Sequence, residues 1–323
     1  MKAADNQLIR IPIIIWVVLT IFISASSSSS QVGLTKALDY DGDAKADLAV
    51  FRSNGTTWFA SKDGIQETMI RQWGIAELDT LTPGDFDGDG KGDISVWRAF
   101  NGTFWLFRSS DSTFLTIQLG QPGDEPVARD YDGDGKTDCA VVRRQNDYLF
   151  WYILPSSTNW LIGYQYGANT DFPAPGDYDG DGRFDLAVQR SISNNGLQFW
   201  IQRSTDGLLV VQFGFDTDFF VPGDYDGDGK TDIALVRDLG AGSSFKWWIY
   251  RSSTSSEYVV SFGTGGEGDI PIQADYDGDG KTDIAIWRPS VRQFWISKSS
   301  NGQTSVYTYG SPGDLPVASY DTH

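Results

Sequence analysis

The stretch DYDGDGKTDCAVVR, from Asp130 to Arg143, places carboxylates at its first, third, fifth and ninth positions: Asp130, Asp132, Asp134 and Asp138. In a tightly curled loop, alternate positions aim their side chains at one centre. The sixth residue is glycine, which accepts the positive φ of a sharp turn. The seventh, Lys136, is basic; its side chain is expected to point out and its backbone carbonyl in, as in other calcium loops. Four carboxylates and a carbonyl make an oxygen-only, flexible donor set. That chemistry suits Ca2+ better than magnesium or a transition metal.

The loop occurs six times. The other copies put their donors at Asp39, Asp41, Asp43, Lys45 and Asp47; at Asp85, Asp87, Asp89, Lys91 and Asp93; and at Asp177, Asp179, Asp181, Arg183 and Asp185. The last two use Asp224, Asp226, Asp228, Lys230 and Asp232, then Asp275, Asp277, Asp279, Lys281 and Asp283. About six calcium sites are therefore expected. The first copy carries Ala44 where the others have glycine, so the Asp39 site is expected to be the weakest.

An EF-hand shares the D-x-D-x-D-G opening but needs a bidentate Glu at position 12 and flanking helices. Position 12 here is Val50, Val96, Val141, Val188, Leu235 or Ile286, inside β-type runs. The motifs hold 24 of the chain's 43 acidic residues, and the remaining 19 are outnumbered by 25 Lys and Arg. The acidity is thus local to the loops. A formal net charge of −18 argues against a nucleic-acid partner. The single histidine is the last residue and the single cysteine is Cys139, so no Ser-His-Asp or Cys-His set, His-ligated zinc or internal disulfide can form. All clustered carboxylates are committed to metal, and no unit breaks the pattern with a singular acid pair. The chain is expected not to be an enzyme.

The elements that position these loops repeat with them, at spacings of 45 to 51 residues. Each unit reads as four strand-sized segments separated by Gly, Asn, Ser and Pro turns: A before the acids, B after them, C with a tryptophan, D before a glycine. No segment keeps a helical period, so the fold is all-β. Four short antiparallel strands per unit is the arithmetic of a β-propeller blade, which must stack on its neighbours to bury both faces. Thirteen residues after each first Asp stands an arginine (Arg52, Arg98, Arg143, Arg190, Arg237, Arg288), expected to pair with loop carboxylates or a neighbouring blade. Trp58, Trp105, Trp151, Trp200, Trp248 and Trp295 read as one repeated packing position, and Cys139 as a small buried hydrophobe. The NGT at Asn54 and at Asn101 reads as hairpin-turn chemistry rather than a glycosylation acceptor.

Residues 1–25 have a basic start, an apolar run of about 13 residues and small residues after it, which reads as a cleaved signal peptide or an N-terminal anchor. The run is short of the roughly 20 residues that span a bilayer, so no membrane span is expected after signal removal. Residues 26–32 form a Ser-rich linker, and 33–323 the repeat domain. After the sixth unit, GDLPVASYDTH is an A strand that stops, with the first position of a further loop at Tyr320. It either closes a ring of six four-stranded blades or begins a truncated seventh.

The D-x-D-G-D-G-K-x-D-hydrophobic loop at this period resembles the FG-GAP/VCBS-type repeats, which include the calcium-binding blades of integrin α-subunit propellers. The resemblance covers about residues 33–321. It implies a β-propeller with structural calcium in the A–B loops of one face. It also implies secretion or cell-surface display, often with adhesive or carbohydrate-binding roles. On that basis the chain is expected to be a binding or adhesion module for a carbohydrate or protein ligand. The alternatives are a propeller-type polysaccharide lyase or glycosidase and a purely structural surface protein. Ligand contacts are expected in the loops that do not repeat, near Asn146 and Tyr148, Asn194, and Lys246 and Trp247. Trp247 and Trp160, outside the repeated position, are the candidates for ligand stacking.

Overall fold

The computed structural model describes residues 36–318. The signal or anchor, the linker and Tyr320 lie outside the described residues. The described chain forms six four-stranded antiparallel sheets and a single short 3-10 turn. Sheet 1 holds β1 (Leu48–Arg52), β2 (Thr57–Ser61) and β3 (Glu67–Gln72). Sheet 2 holds β4 (Asp79–Leu81), β5 (Ile94–Arg98), β6 (Thr103–Phe107) and β7 (Phe114–Gln118). Sheet 3 holds β8 (Glu125–Pro126), β9 (Cys139–Gln145), β10 (Tyr148–Leu154) and β11 (Ile162–Ala168). Sheet 4 holds β12 (Phe172–Pro173), β13 (Leu186–Ser191), β14 (Gly196–Arg203) and β15 (Gly207–Phe215). Sheet 5 holds β16 (Phe219–Phe220), β17 (Ile233–Arg237), β18 (Ser244–Arg251) and β19 (Ser256–Thr264). Sheet 6 holds β20 (Ile270–Pro271), β21 (Ile284–Arg288), β22 (Gln293–Ser297) and β23 (Thr304–Thr308).

These are the blades of a propeller, with strands in A-B-C-D order. The last strand, β24 (Leu315–Pro316), supplies strand A of blade 1 by pairing with β1. Among the described residues the tail therefore closes a ring of six rather than opening a further blade. Proline sits within strand A in four blades (Pro126, Pro173, Pro271, Pro316), where an edge strand tolerates a missing N–H.

In five blades the B strand is buried along four successive residues, and in blade 4 along two; C strands alternate, and D strands are largely exposed. The core is accordingly divided into six apolar clusters, each spanning one seam between adjacent blades. The seam between blades 6 and 1 joins Trp287, Phe294 and Ile296 to Leu48 and Val50 like any other. Cys139 is buried in the seam between blades 2 and 3. Among the described residues no helix is long and apolar enough to cross a membrane.

The repeated tryptophan position needs correcting. The residue opposite position 12 is Trp105, Trp200, Trp248 and Trp295 in four blades, but Phe59 in blade 1 and Tyr152 in blade 3. Trp58 and Trp151 lie one residue earlier and face the other side, fully buried. Trp247 shares that buried register at 0% exposure, so it cannot stack on a ligand. Trp160 is 78% exposed.

Candidate metal centre

The acid loops share one geometry, and in blades 2 to 6 each closes the A–B hairpin; in blade 1, where β24 is strand A, the loop only leads into β1. The first aspartate turns inward and accepts from its own loop: Asp85 Oδ1 from the N–H of Gly88 at 2.7 Å and Oδ2 from that of Gly90 at 3.1 Å. Asp39, Asp130, Asp177, Asp224 and Asp275 do likewise. The ninth-position aspartate accepts the N–H of the second residue at 2.8–2.9 Å, which fixes the loop's base. Glycine is needed at the fourth position twice over. Gly88 has φ +81°, and a Cβ there would stand 2.8 Å from Lys136 Cε of the next blade.

That lysine contact is one of six. The seventh-position side chains lie across the preceding blade's fourth-position glycine, from Lys91 on Gly42 round to Lys45 on Gly278. Main-chain bonds run in parallel. The eighth-position N–H donates to the first aspartate's carbonyl in the preceding loop: Gly92 to Asp39, Thr137 to Asp85, Phe184 to Asp130, Thr231 to Asp177, Thr282 to Asp224 and Ala46 to Asp275, at 2.7–2.8 Å. The six loops form a closed circle on one face.

The C–D turn braces each loop except the first. In blade 5, Ser252 donates its N–H to Asp232 Oδ1 and its hydroxyl to Asp228 Oδ2, both at 2.7 Å, while the Ser253 hydroxyl donates to Asp226 Oδ2 at 2.5 Å. The pairs Ser109–Ser110, Ser156–Ser157, Ser204–Thr205 and Ser299–Ser300 repeat this set. Sequence reasoning registered these hydroxyls only as turn residues; their recurrence as Ser-Ser was the available signal. In blade 1 the strand register places Asp63 and Gly64 at these positions. Loop 1 also holds Ala44 at φ 65°, the strained conformation expected of it. Replacing it, Ala44→Gly, is expected to stabilise the protein by about 1 kcal/mol, read as a rise in the urea midpoint. A lowered midpoint would contradict the strain.

Oxygens of Asp85, Asp87 and Asp93 come within 4.8 Å of one another, as do those of Asp130, Asp132 and Asp138, of Asp177, Asp179 and Asp185, and of Asp224, Asp226 and Asp232. Positions 1, 3 and 9 thus converge. Asp89, Asp134, Asp181 and Asp228 at position 5 stand outside these groups, held by the serines. Loop 1 gathers Asp39, Asp41 and Asp43 instead. Burial pushes the carboxyls of Asp47, Asp93, Asp138, Asp185, Asp232 and Asp283 up to about 7, partly offset by their backbone hydrogen bonds. Burial likewise pushes Asp130 up to about 6 and raises Asp39, Asp85 and Asp275. Asp179 Oδ1 is buried with no hydrogen-bond partner. Buried acids aimed at one another, with an orphaned carboxylate oxygen among them, fit a hard cation: it would neutralise the charge and fill the missing contact.

The six arginines do not pair with these acids, contrary to expectation. Each forms a two-pronged bond with an aspartate leading into strand A of its own blade: Arg98 with Asp79, Arg143 with Asp124, Arg190 with Asp171, Arg237 with Asp218, Arg288 with Asp269 and Arg52 with Asp314. The signal was a constant separation of 19 residues in five blades. The planar guanidinium matches a carboxylate edge and lies over an aromatic ring of strand C, as Arg98 does over Trp105 at 4.7 Å.

A family profile described as "FG-GAP-like repeat" matches residues 130–188 and 224–286. Each match runs from one acid loop through the next. The chain is a six-bladed β-propeller that carries FG-GAP-like repeats. No curated protein matches the sequence of this FG-GAP propeller. Among solved structures, TolB from Acinetobacter baumannii is similar with a TM-score of 0.50 at 16% identity, over 84% of this chain; the chain spans 63% of TolB. An arginine-to-alanine triple mutant of AofleA from Arthrobotrys oligospora gives 0.52 at 10% identity, over 88% of this chain and 90% of that one. A lectin from Agrocybe aegerita, described as recognising non-reducing terminal N-acetylglucosamine, gives 0.52 at 14% identity, over 85% and 80%. At these identities the likeness shows the shared fold.

Proposed function

We propose that this FG-GAP propeller is an exported, calcium-braced binding or adhesion module without catalytic activity, and that its ligand is a carbohydrate. The circle of six acid loops carries the calcium assignment. In loops 2 to 5 the converging first, third and ninth aspartates would hold each ion, with the fifth aspartate and the seventh-position carbonyl completing the donor set; in loop 1 Asp39, Asp41 and Asp43 would begin it. Calcium there is structural: it neutralises acids that the hairpins bury, and exported proteins meet calcium at levels where weak sites fill. The carbohydrate assignment is supported by a fold shared with an Agrocybe aegerita lectin whose described ligand is a sugar.

A glycan array probed with the full chain, with calcium and with chelator, tests this function. Binding to some glycans, lost on chelation, is expected. Failure to bind any glycan in calcium would sink the carbohydrate assignment while leaving the metal assignment to elemental analysis.

A further inference from the structure

The six seams bring the same kinds of side chain to one spot, at the end of the disk opposite the acid loops. Each pairs the glycine closing strand D of one blade with the arginine and strand C aromatic of the next. The residue after that glycine decides whether the spot is open. After blade 4, Phe215 lies over Arg237 at 4.2 Å and covers it. After blades 5 and 6, Arg288 and Arg52 donate to the hydroxyls of Thr264 and Ser311. After blade 1 a recess of about 250 Å³ remains, lined by Trp73, Gly74, Arg98, Trp105 and Phe114 with no carboxylate or hydroxyl among them, and Trp73 donates its Nε1 to the Trp105 carbonyl.

After blade 3 the residue in that place is Ala168, and the seam opens into a recess of about 320 Å³. Its lining adds a carboxylate and phenolic hydroxyls to the arginine and tryptophan. Arg190 commits Nε and Nη2 to Asp171 and makes no protein hydrogen bond through Nη1. Tyr166 and Trp200 each carry a buried polar atom without a partner. The B–C turn adds Asp147, whose carboxylate is unpaired, and Tyr148, half-exposed. Donors, one acceptor and aromatic faces therefore meet in a volume at the small end of ligand sites. Asp171 balances the charge of Arg190, and Asp147 would repel an anion. Such a lining suits a neutral ring with hydroxyls at its edge and C–H groups on its face.

We propose that the recess between blades 3 and 4 binds the neutral pyranose end of a glycan. This assignment rests on the carbohydrate function proposed above and locates it. A ring hydroxyl donates to Asp147, another accepts from Arg190 Nη1, and the apolar sugar face lies on Tyr148 or Trp200.

The test is calorimetric titration of the calcium-loaded full chain with the methyl glycosides of glucose, galactose, mannose, fucose and N-acetylglucosamine. At least one should bind. Ala168→Phe copies the residue that the fold already carries after blade 4, so the melting temperature should hold while affinity falls about tenfold or more. Asp147→Ala, a change to an exposed turn residue, should cost about tenfold by removing one charged hydrogen bond. Should Ala168→Phe lower the melting temperature, Asp147→Ala decides. Full affinity in folded Ala168→Phe, or in Asp147→Ala, would overturn the seam site and leave the carbohydrate function standing. No glycoside bound by the unaltered chain would overturn both.

Discussion

Chelating calcium should lower the melting temperature by roughly 20 °C or more, and the loss should grow with pH. Each site adds about 2.7 kcal/mol when free calcium is 100-fold above Kd. A protein of this size gains about 2–4 °C per kcal/mol, so half of the sites alone would account for about 16–32 °C. The pH dependence arises from burial. The ninth-position carboxyls, from Asp47 to Asp283, titrate at about 7 in the folded chain, against about 3.9 for an unfolded aspartate. A folded-state value above the unfolded one means that the fold binds protons more tightly. That stability is fully present below about pH 4 and is lost as pH rises through about 7. The chelated protein should therefore weaken between pH 5 and 7.5. Over the same range the calcium-loaded protein should strengthen, because the metal needs the carboxylates ionised. Melting curves of both forms across this range check the crossing trends. Parallel curves would mean that the loops do not hold the metal.

Removing ten residues from the C-terminus should be nearly as damaging. A chain stopped after Gly313 loses β24, with its pairings of Leu315 to Phe51 and Pro316 to Val50 and the bond from Val317 N–H to the Ala49 carbonyl. It also loses Asp314, the partner of Arg52 at 2.8 and 2.9 Å, and Val317, 2% exposed in the seam core. Burying one valine is worth about 1.5–3 kcal/mol; the paired strand and the charge pair add to it. The expected result is a fall of about 10 °C or more and protease sensitivity that starts in blade 1. Asp171→Ala in blade 4 removes the same kind of ion pair without opening the ring. Its fall should be smaller, and an equal one would show that closure contributes nothing.

The architecture was legible because repetition fixed the phase: six acid loops, six arginines and six glycines agree on where each strand begins. What escaped was anything resting on which face a residue presents. Trp58 and Trp151 look equivalent to Trp105 by name, yet a slip of one residue turns a strand side chain to the opposite face. Phe59 and Tyr152 hold the place instead. Trp247 stood out because it did not repeat, but its irregularity was that of a core residue beside a seam residue. The acid loops were legible as carboxylate clusters but not as braced structures. The first serine that holds each braced loop comes 24 to 28 residues after its opening aspartate, across gaps of variable length. The arginine partners were missed for a different reason. So many acids stood in the loops that a lone aspartate before strand A drew no notice.

Because β24 comes from the far end of the chain, the sequence unit and the blade are out of phase by one strand. The joint between the two ends lies within a sheet, made of backbone bonds and one ion pair. Every other boundary between units is an ordinary loop. A copy of the whole unit added in the middle would thus enlarge the ring and leave the joint intact. Copy number in such a gene can change by duplication without redesigning its ends, limited by the angle at which neighbouring blades still fill their shared core.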